Sequence, residues 1–350
     1  MLYYSKKTMF LLLMFILLYF HAMAQKQERI NIVTDSVHKK ILIKAGNQPF
    51  TAFIYPDSLE KPVLYPIVAA GGETITRGYP LMPHPGEPTD HPHHIGLWMN
   101  YENVNGFDFW NNSFAVPLDK KQKYGWIAAT AITGISSGVY GKLSYNAQWQ
   151  DIYKNKLLNE HTSYIFQATK YLRIIDRITT LTALQNVDFP DAKDGLLGLR
   201  VAHELELPSK EERQFTDIHG NITTVAATVN ADVTGNYITS EGKQGNSAWG
   251  TRARWCMLYG KKGKDSISIV VVDHSKNIGY PTYWHARGYG LFAANPLGQK
   301  IFSNGKETLN YHLAKNQSVT FRYRIIIASG TKRLMNKEIE RLAKAFEEMQ

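Results

Sequence analysis

Apolar and polar residues alternate with a period of two along most of the chain, and that pattern predicts strands. Residues 163–184 (SYIFQATKYLRIIDRITTLTAL) read as two long strands, rich in β-branched and aromatic side chains. Residues 41–45, 51–55, 142–150, 197–207, 252–259, 266–273 and 318–328 carry the same signature. Turn signals separate them: Asn105-Gly106, Gly134 to Gly138, Gly235-Asn236, Gly260 to Gly263 and Asn304-Gly305. Strand follows strand with almost no helical period between, which predicts antiparallel sheets packed face to face as one large sandwich. One helix is expected, over 331–349, where Met335, Ile339, Leu342, Phe346 and Met349 recur every three or four residues.

The first residues break this pattern. Lys6 and Lys7 precede an apolar stretch from Met9 to Phe20, and Ala22-Met23-Ala24 forms a small-x-small site. This is the grammar of a secretory signal peptide over 1–24. The apolar stretch is short for a span of about twenty residues. Residues 25–350 are then expected as a single domain, periplasmic or secreted. The formal charge of +10 loses Lys6 and Lys7 and no acid, becoming +8, and the remaining lysines are scattered pairs. With no basic block and no nucleic-acid motif, no nucleic-acid partner is expected. No later run of eighteen apolar residues exists, so no helical membrane span is expected after cleavage. Cys256 is the single cysteine, which excludes an intramolecular disulfide, and its strand-like surroundings suggest a buried thiol.

Chemistry concentrates in three segments. Residues 71–110 hold His84, His91, His93 and His94 among carboxylates and five prolines, which impose an extended loop. After the prolines, Ile95, Leu97, Met99 and Tyr101 share one strand face. His94, Trp98 and Asn100 share the other, with Gly96 leaving room; an imidazole, an indole and an amide in line suit a sugar. Asp90-His91-Pro92-His93-His94 admits a metal site through His91 and His93, a metal-free site in which Asp90 or Glu87 sets one tautomer, or a purely structural loop. In the second segment, alternation places His203 with Leu199, Val201 and Leu205, and Arg200, Glu204 and Glu206 opposite. In the third, residues 280–290 gather tyrosines, Trp284, His285 and Arg287 on an expected loop, with Gly288 and Gly290 permitting close backbone approach.

Thr76-Arg77, DHPHHIGLW at 90–98, VNGFDFW at 104–110 and YWHARGYGLFAANPLG at 283–298 resemble an uncharacterised bacterial family carried under the name "methane oxygenase PmoA". The resemblance spans nearly all of 25–350. The absence of a spanning segment argues against methane oxidation. At fold level the chain is similar to galactose mutarotase-like proteins, which implies a β-supersandwich acting on sugars with histidines, an arginine and a carboxylate on its concave sheet. No mutarotase His/Glu pair aligns residue by residue, so mutarotation itself is not implied.

The expectation is an all-β, exported, carbohydrate-active protein working by acid–base chemistry of epimerase, lyase or hydrolase type, without a cofactor. His93 or His94 would carry the proton, Asp90 or Glu204 would orient or remove it, and His285 would be a second acid. Arg77, Trp98, Asn100, Asp108, Trp110, Arg200, His203, Trp284, Arg287 and Tyr289 would contact the carbohydrate substrate. The rivals are a metal-dependent oxygenase or hydrolase holding a divalent ion through His91 and His93, and a non-catalytic sugar-binding module.

Overall fold

The computed structural model describes residues 26–217, 219–228 and 232–349; the signal peptide expected over 1–24 lies outside the described residues. Two eight-stranded sheets dominate. The first contains β1 (Ile30–Asp35), β2 (Lys40–Ala45), β3 (Gln48–Ile54), β4 (Val63–Ile67), β5 (Leu97–Tyr101), β11 (Gly195–Arg200), β18 (Leu291–Asn295) and β17 (Tyr283–Ala286), in that spatial order. The second runs β14 (Asn236–Thr239), β15 (Trp255–Lys262), β16 (Asp265–Asp273), β20 (Ser318–Gly330), β9 (Leu172–Ala183), β8 (Lys156–Ala168), β7 (Gly141–Asp151) and β6 (Gly125–Ser136). Two hairpin-like pairs complete the set: β10 (Val187–Phe189) with β19 (Tyr311–Leu313), and β12 (Arg213–Thr216) with β13 (Ile222–Val225). Pairing is antiparallel throughout these ladders, so the expected large antiparallel sandwich is the fold.

The sheets face each other because alternate residues of each are apolar. Leu97, Met99, Tyr101, Leu197 and Leu199 from the first meet Tyr145, Phe166, Ile175 and Ile325 from the second in one core. Phe53 packs on Tyr145 with ring centroids 4.6 Å apart, and Phe50 meets Phe166 edge-on at 5.7 Å. Cys256 is buried in this core, as its surroundings suggested.

The outer face of the second sheet is covered by the C-terminal helix, Asn336–Glu347, through Ile339, Leu342 and Phe346. It is shorter than the expected 331–349: Met335 precedes its first turn and is 70% exposed, so it does not belong to the apolar stripe.

Three local expectations need correction. The strand expected over 197–207 ends at Arg200, and His203–Leu205 forms a single 3-10 turn. Backbone bonds from Val201 to Gly290 and from Ala202 to Ile75 carry the chain off the sheet there, so the alternation across 199–205 does not describe a face. Tyr283–Ala286 is strand rather than loop. Gly134, expected in a turn, lies inside β6 beside a register shift, where a glycine accommodates the extra residue of a bulge.

Candidate active site

The site occupies the face of the first sheet turned away from the core. Trp98 projects there from β5, opposite Leu97 and Met99. Gly198 on the neighbouring β11 makes this possible: a Cβ at that position would lie 2.5 Å from the Trp98 ring and 2.8 Å from Trp110. Gly96 does not make room between His94 and Trp98, as expected from sequence. Its φ of +56° and its approach to the Leu64 carbonyl, 2.2 Å from where a Cβ would sit, bend the chain into β5. The rings of His94 and Trp98 then stack directly at 5.3 Å.

The Asp90–His94 loop is anchored from beneath by two arginines. Arg77 donates to the backbone carbonyls of Asp90 (2.7 Å) and His91 (2.9 Å) and to Asp90 Oδ1 (3.1 Å). Arg200 grips the same carboxylate with both terminal nitrogens, at 3.1 and 2.9 Å. The Asp90 carboxylate in turn accepts from His91 Nδ1 at 2.5 Å. An ionised carboxylate only accepts, so His91 carries its proton on Nδ1 and Nε2 is left as a base. His91 also has a left-handed backbone, φ 46°, a conformation that costs a non-glycine residue about 1–3 kcal/mol and persists only where surroundings enforce it. Its ring is nearly parallel to those of Tyr289 (4.9 Å) and His94 (4.7 Å), which are 6.4 Å from each other, so Tyr289, His91, His94 and Trp98 form one aromatic cluster.

Beside this cluster lies a cavity of about 290 Å³. His91, His93, His94, Trp110, Asp194, His285, Arg287 and Tyr289 line it, and the β12–β13 hairpin supplies Phe215, Thr216 and Ile222. The DHPHH and WHARGY segments, nearly two hundred positions apart, therefore share one cleft.

Residues 40–344 match the profile of a family of unknown function, DUF6807. The chain belongs to this family. No curated protein matches it. Among solved structures, a galactose mutarotase-like protein from Clostridium acetobutylicum is similar at 9% identity, covering 87% of this chain and 99% of that one, with a TM-score of 0.39. The galactosidase domain of an α-galactosidase–sucrose kinase gives 10% identity, 86% and 42% coverage and a TM-score of 0.37. GH36 α-galactosidase AgaB from Geobacillus stearothermophilus gives 8%, 86% and 41%, and 0.37. The chain thus spans about two fifths of the two galactosidase structures.

Within this family member, electrostatics divide the cleft into two halves. On the loop side, burial is the largest influence on His91, His93 and His94 and lowers all three, keeping the imidazoles neutral. Burial alone would raise Asp90, but Arg200, the His91 bond and Arg77 together hold it well below the usual carboxylate range. His93 Nε2 and His94 Nε2 are buried without hydrogen-bond partners. Arg200 lies 3.4 Å from His94 Nδ1 and can only donate, which puts the His94 proton on Nε2.

On the far side, Arg287 Nε donates to His285 Nε2 at 3.1 Å, so the His285 proton sits on Nδ1, 3.4 Å from Asp194 Oδ1. Burial pushes Asp194 up, and it pushes Glu102, whose carboxylate accepts from the Asp194 backbone N–H (3.0 Å), up to about 9 with help from Asp194 and Asp108. The same cavity is therefore lined by a carboxyl that burial pushes toward its protonated form and by a neutral histidine.

Several expected contacts lie elsewhere. Arg77 and Arg200 are spent on the Asp90 loop and are 1% and 0% exposed, so they position the site rather than reach a ligand. Trp284 is a core residue whose Nε1 donates to the Ala253 carbonyl at 3.0 Å. Trp98 and Asn100 are fully buried and bonded to each other at 3.0 Å, a floor beneath the cavity. His203 pairs with Glu206 at 3.0 Å, and Glu204 pairs with Lys262. Neither lines the cavity, because the chain leaves the sheet after Val201. Asp108 is buried behind the wall, bonded to Asn111 (2.8 and 2.9 Å). Among the described residues no group of three or more His, Cys, Asp or Glu side chains is arranged to hold a metal ion. His91 Nδ1 is committed to Asp90, and the His91 and His93 rings meet edge-on at 5.6 Å.

One cavity residue, Asp194, has no signal in the sequence, and another, His91, is assigned a different role there. The sequence allows Asp90 to orient one histidine of 91–94 and points to His93 or His94 as proton carrier, whereas the Asp90 carboxylate bonds His91. Asp194, in Asp191-Ala192-Lys193-Asp194, carried no local signal at all.

Proposed function

We propose that this protein is a carbohydrate-active enzyme that moves protons at a sugar carbon or oxygen. His91 Nε2 acts as base and Asp194 as acid. The observation that carries this reading is the Asp90-held His91 on the same cavity wall set as a burial-raised Asp194. Paired titratable groups whose surroundings push them in opposite directions are the requirement of acid–base catalysis. His93 is the candidate for a substrate hydroxyl contact, and Trp110, Tyr124 and Phe215 line the side that the CH faces of a sugar ring need. Epimerisation, elimination and hydrolysis all use this pair. The charged n-region, apolar stretch and small-residue site of 1–24 support export, which cell fractionation tests.

The test is a panel of reducing sugars, uronates and oligosaccharides followed by NMR. Turnover is expected, with His91→Gln and Asp194→Asn each lowering kcat by about a hundredfold or more. Undiminished turnover in His91→Gln would reject this base. Saturable binding without turnover across the panel would make the protein a sugar-binding module instead.

A further inference from the structure

Every fully buried arginine among the described residues is paired with a carboxylate. Arg77, Arg173, Arg177, Arg200 and Arg324 are each at most 3% exposed, and each has a carboxylate within 3.4 Å. A guanidinium withdrawn from water loses solvation that only an anion or several acceptors restore, so this pairing is expected. Arg287 is part-buried on the cavity wall, and among the described residues it has no ion-pair partner. Its side chain makes one hydrogen bond, from Nε to His285 Nε2. The guanidinium lies over the rings of Trp249 (4.4 Å) and Phe215 (5.4 Å), which hold its plane while leaving the Nη donors unused. Lys193 adds a second cation on the same wall, 3.5 Å from Asp194 Oδ2 and 3.4 Å from the Thr216 carbonyl.

We infer that the cavity takes an acidic sugar whose carboxylate is received by the Nη edge of Arg287, with Lys193 beside it: a uronic acid or a glycan end bearing one. A planar carboxylate matches two parallel N–H donors, whereas a neutral hydroxyl would leave the cation without a counter-charge. Asp217, the other carboxylate on the wall, cannot serve: its oxygens accept from the backbone of His219 and Asn221 at 2.9 Å each and from the Asn221 amide at 2.9 Å. The inference rests on the reading of the cleft as a sugar site and names the substrate class.

Calorimetric titration of the purified protein with galacturonate, galactose and galactose 6-sulfate tests it. Galacturonate should bind at least about tenfold more tightly than galactose at low salt. In Arg287→Gln the ratio of galacturonate to galactose affinity should fall to about one. Equal affinities for the acid and the neutral sugar, or a preference that survives Arg287→Gln, overturn the inference while leaving the sugar site standing. Stronger binding of the sulfate ester overturns the carboxylate assignment. No binding by any of the three overturns the sugar reading and the inference together. Should Arg287→Gln misfold, the wild-type protein still decides: galacturonate affinity must fall with salt more steeply than galactose affinity, and parallel salt dependences overturn the inference.

Discussion

Asp90→Asn removes the charge that holds the site together while keeping its shape. In the native protein this carboxylate, with a side chain 4% exposed, is the shared counter-ion of two arginines whose side chains are 0% exposed. Breaking a buried ion pair by removing one partner costs about 3–5 kcal/mol, because the other charge is left uncompensated. Partial compensation remains here. Arg77 keeps the carbonyls of residues 90 and 91, and Arg200 keeps Glu206 at 3.6 Å, which argues for the lower end, about 3 kcal/mol. At about 1.5 °C per kcal/mol for a domain of this length, Tm should fall by about 4–5 °C, measured by scanning calorimetry. The pH dependence follows from the sign of the shift. The folded carboxyl lies below its unfolded value of about 3.9, so its contribution is fully present above that value and is lost only as pH falls through the lower folded value. The difference between wild type and variant should therefore be constant from about pH 8 to pH 5 and shrink only in stronger acid. A Tm change under about 1 °C, or a difference that halves between pH 8 and pH 5, would falsify the clamp.

Other outcomes follow from the same geometry. Glu102 is pushed up to about 9, far above an unfolded value of about 4.3, so the folded state binds the extra proton and stability declines as pH rises through that window. Glu102→Gln, which resembles the protonated form, should flatten this decline in urea titrations at pH 5, 7 and 9; an unchanged slope would contradict a protonated Glu102. Trp284→Ala should cost about 3–5 kcal/mol of stability, since its ring fills the core, and intact thermal stability would return it to the ligand surface. Glu204→Ala should stay within about 1 kcal/mol of wild type and leave sugar affinity unaltered, because its partner Lys262 lies away from the cavity and its own side chain is 40% exposed.

The two long strands of 163–184, the short ones at 41–45, 142–150 and 266–273, the sandwich class and the helix stripe Ile339, Leu342 and Phe346 were legible in the chain because burial on one face imposes a period that local sequence records. The density of histidines at 91–94 and of aromatics with His285 and Arg287 was legible for the same local reason. Which of them reach the cavity was not. Trp98, Trp284, Arg77 and Arg200 look like ligand residues in sequence, yet lie beneath the site or in the core, since the side of a sheet that a residue meets depends on what packs there. Apparent alternation through Glu204 was broken by hydrogen bonds to segments 89 and 127 positions away. That His91, Asp194 and Arg287 line one cavity is likewise a long-range fact. Sequence determined the sandwich and the segments that carry chemistry; only the packing of distant strands decided which side chains share a solvent-shielded cleft, and with it their protonation.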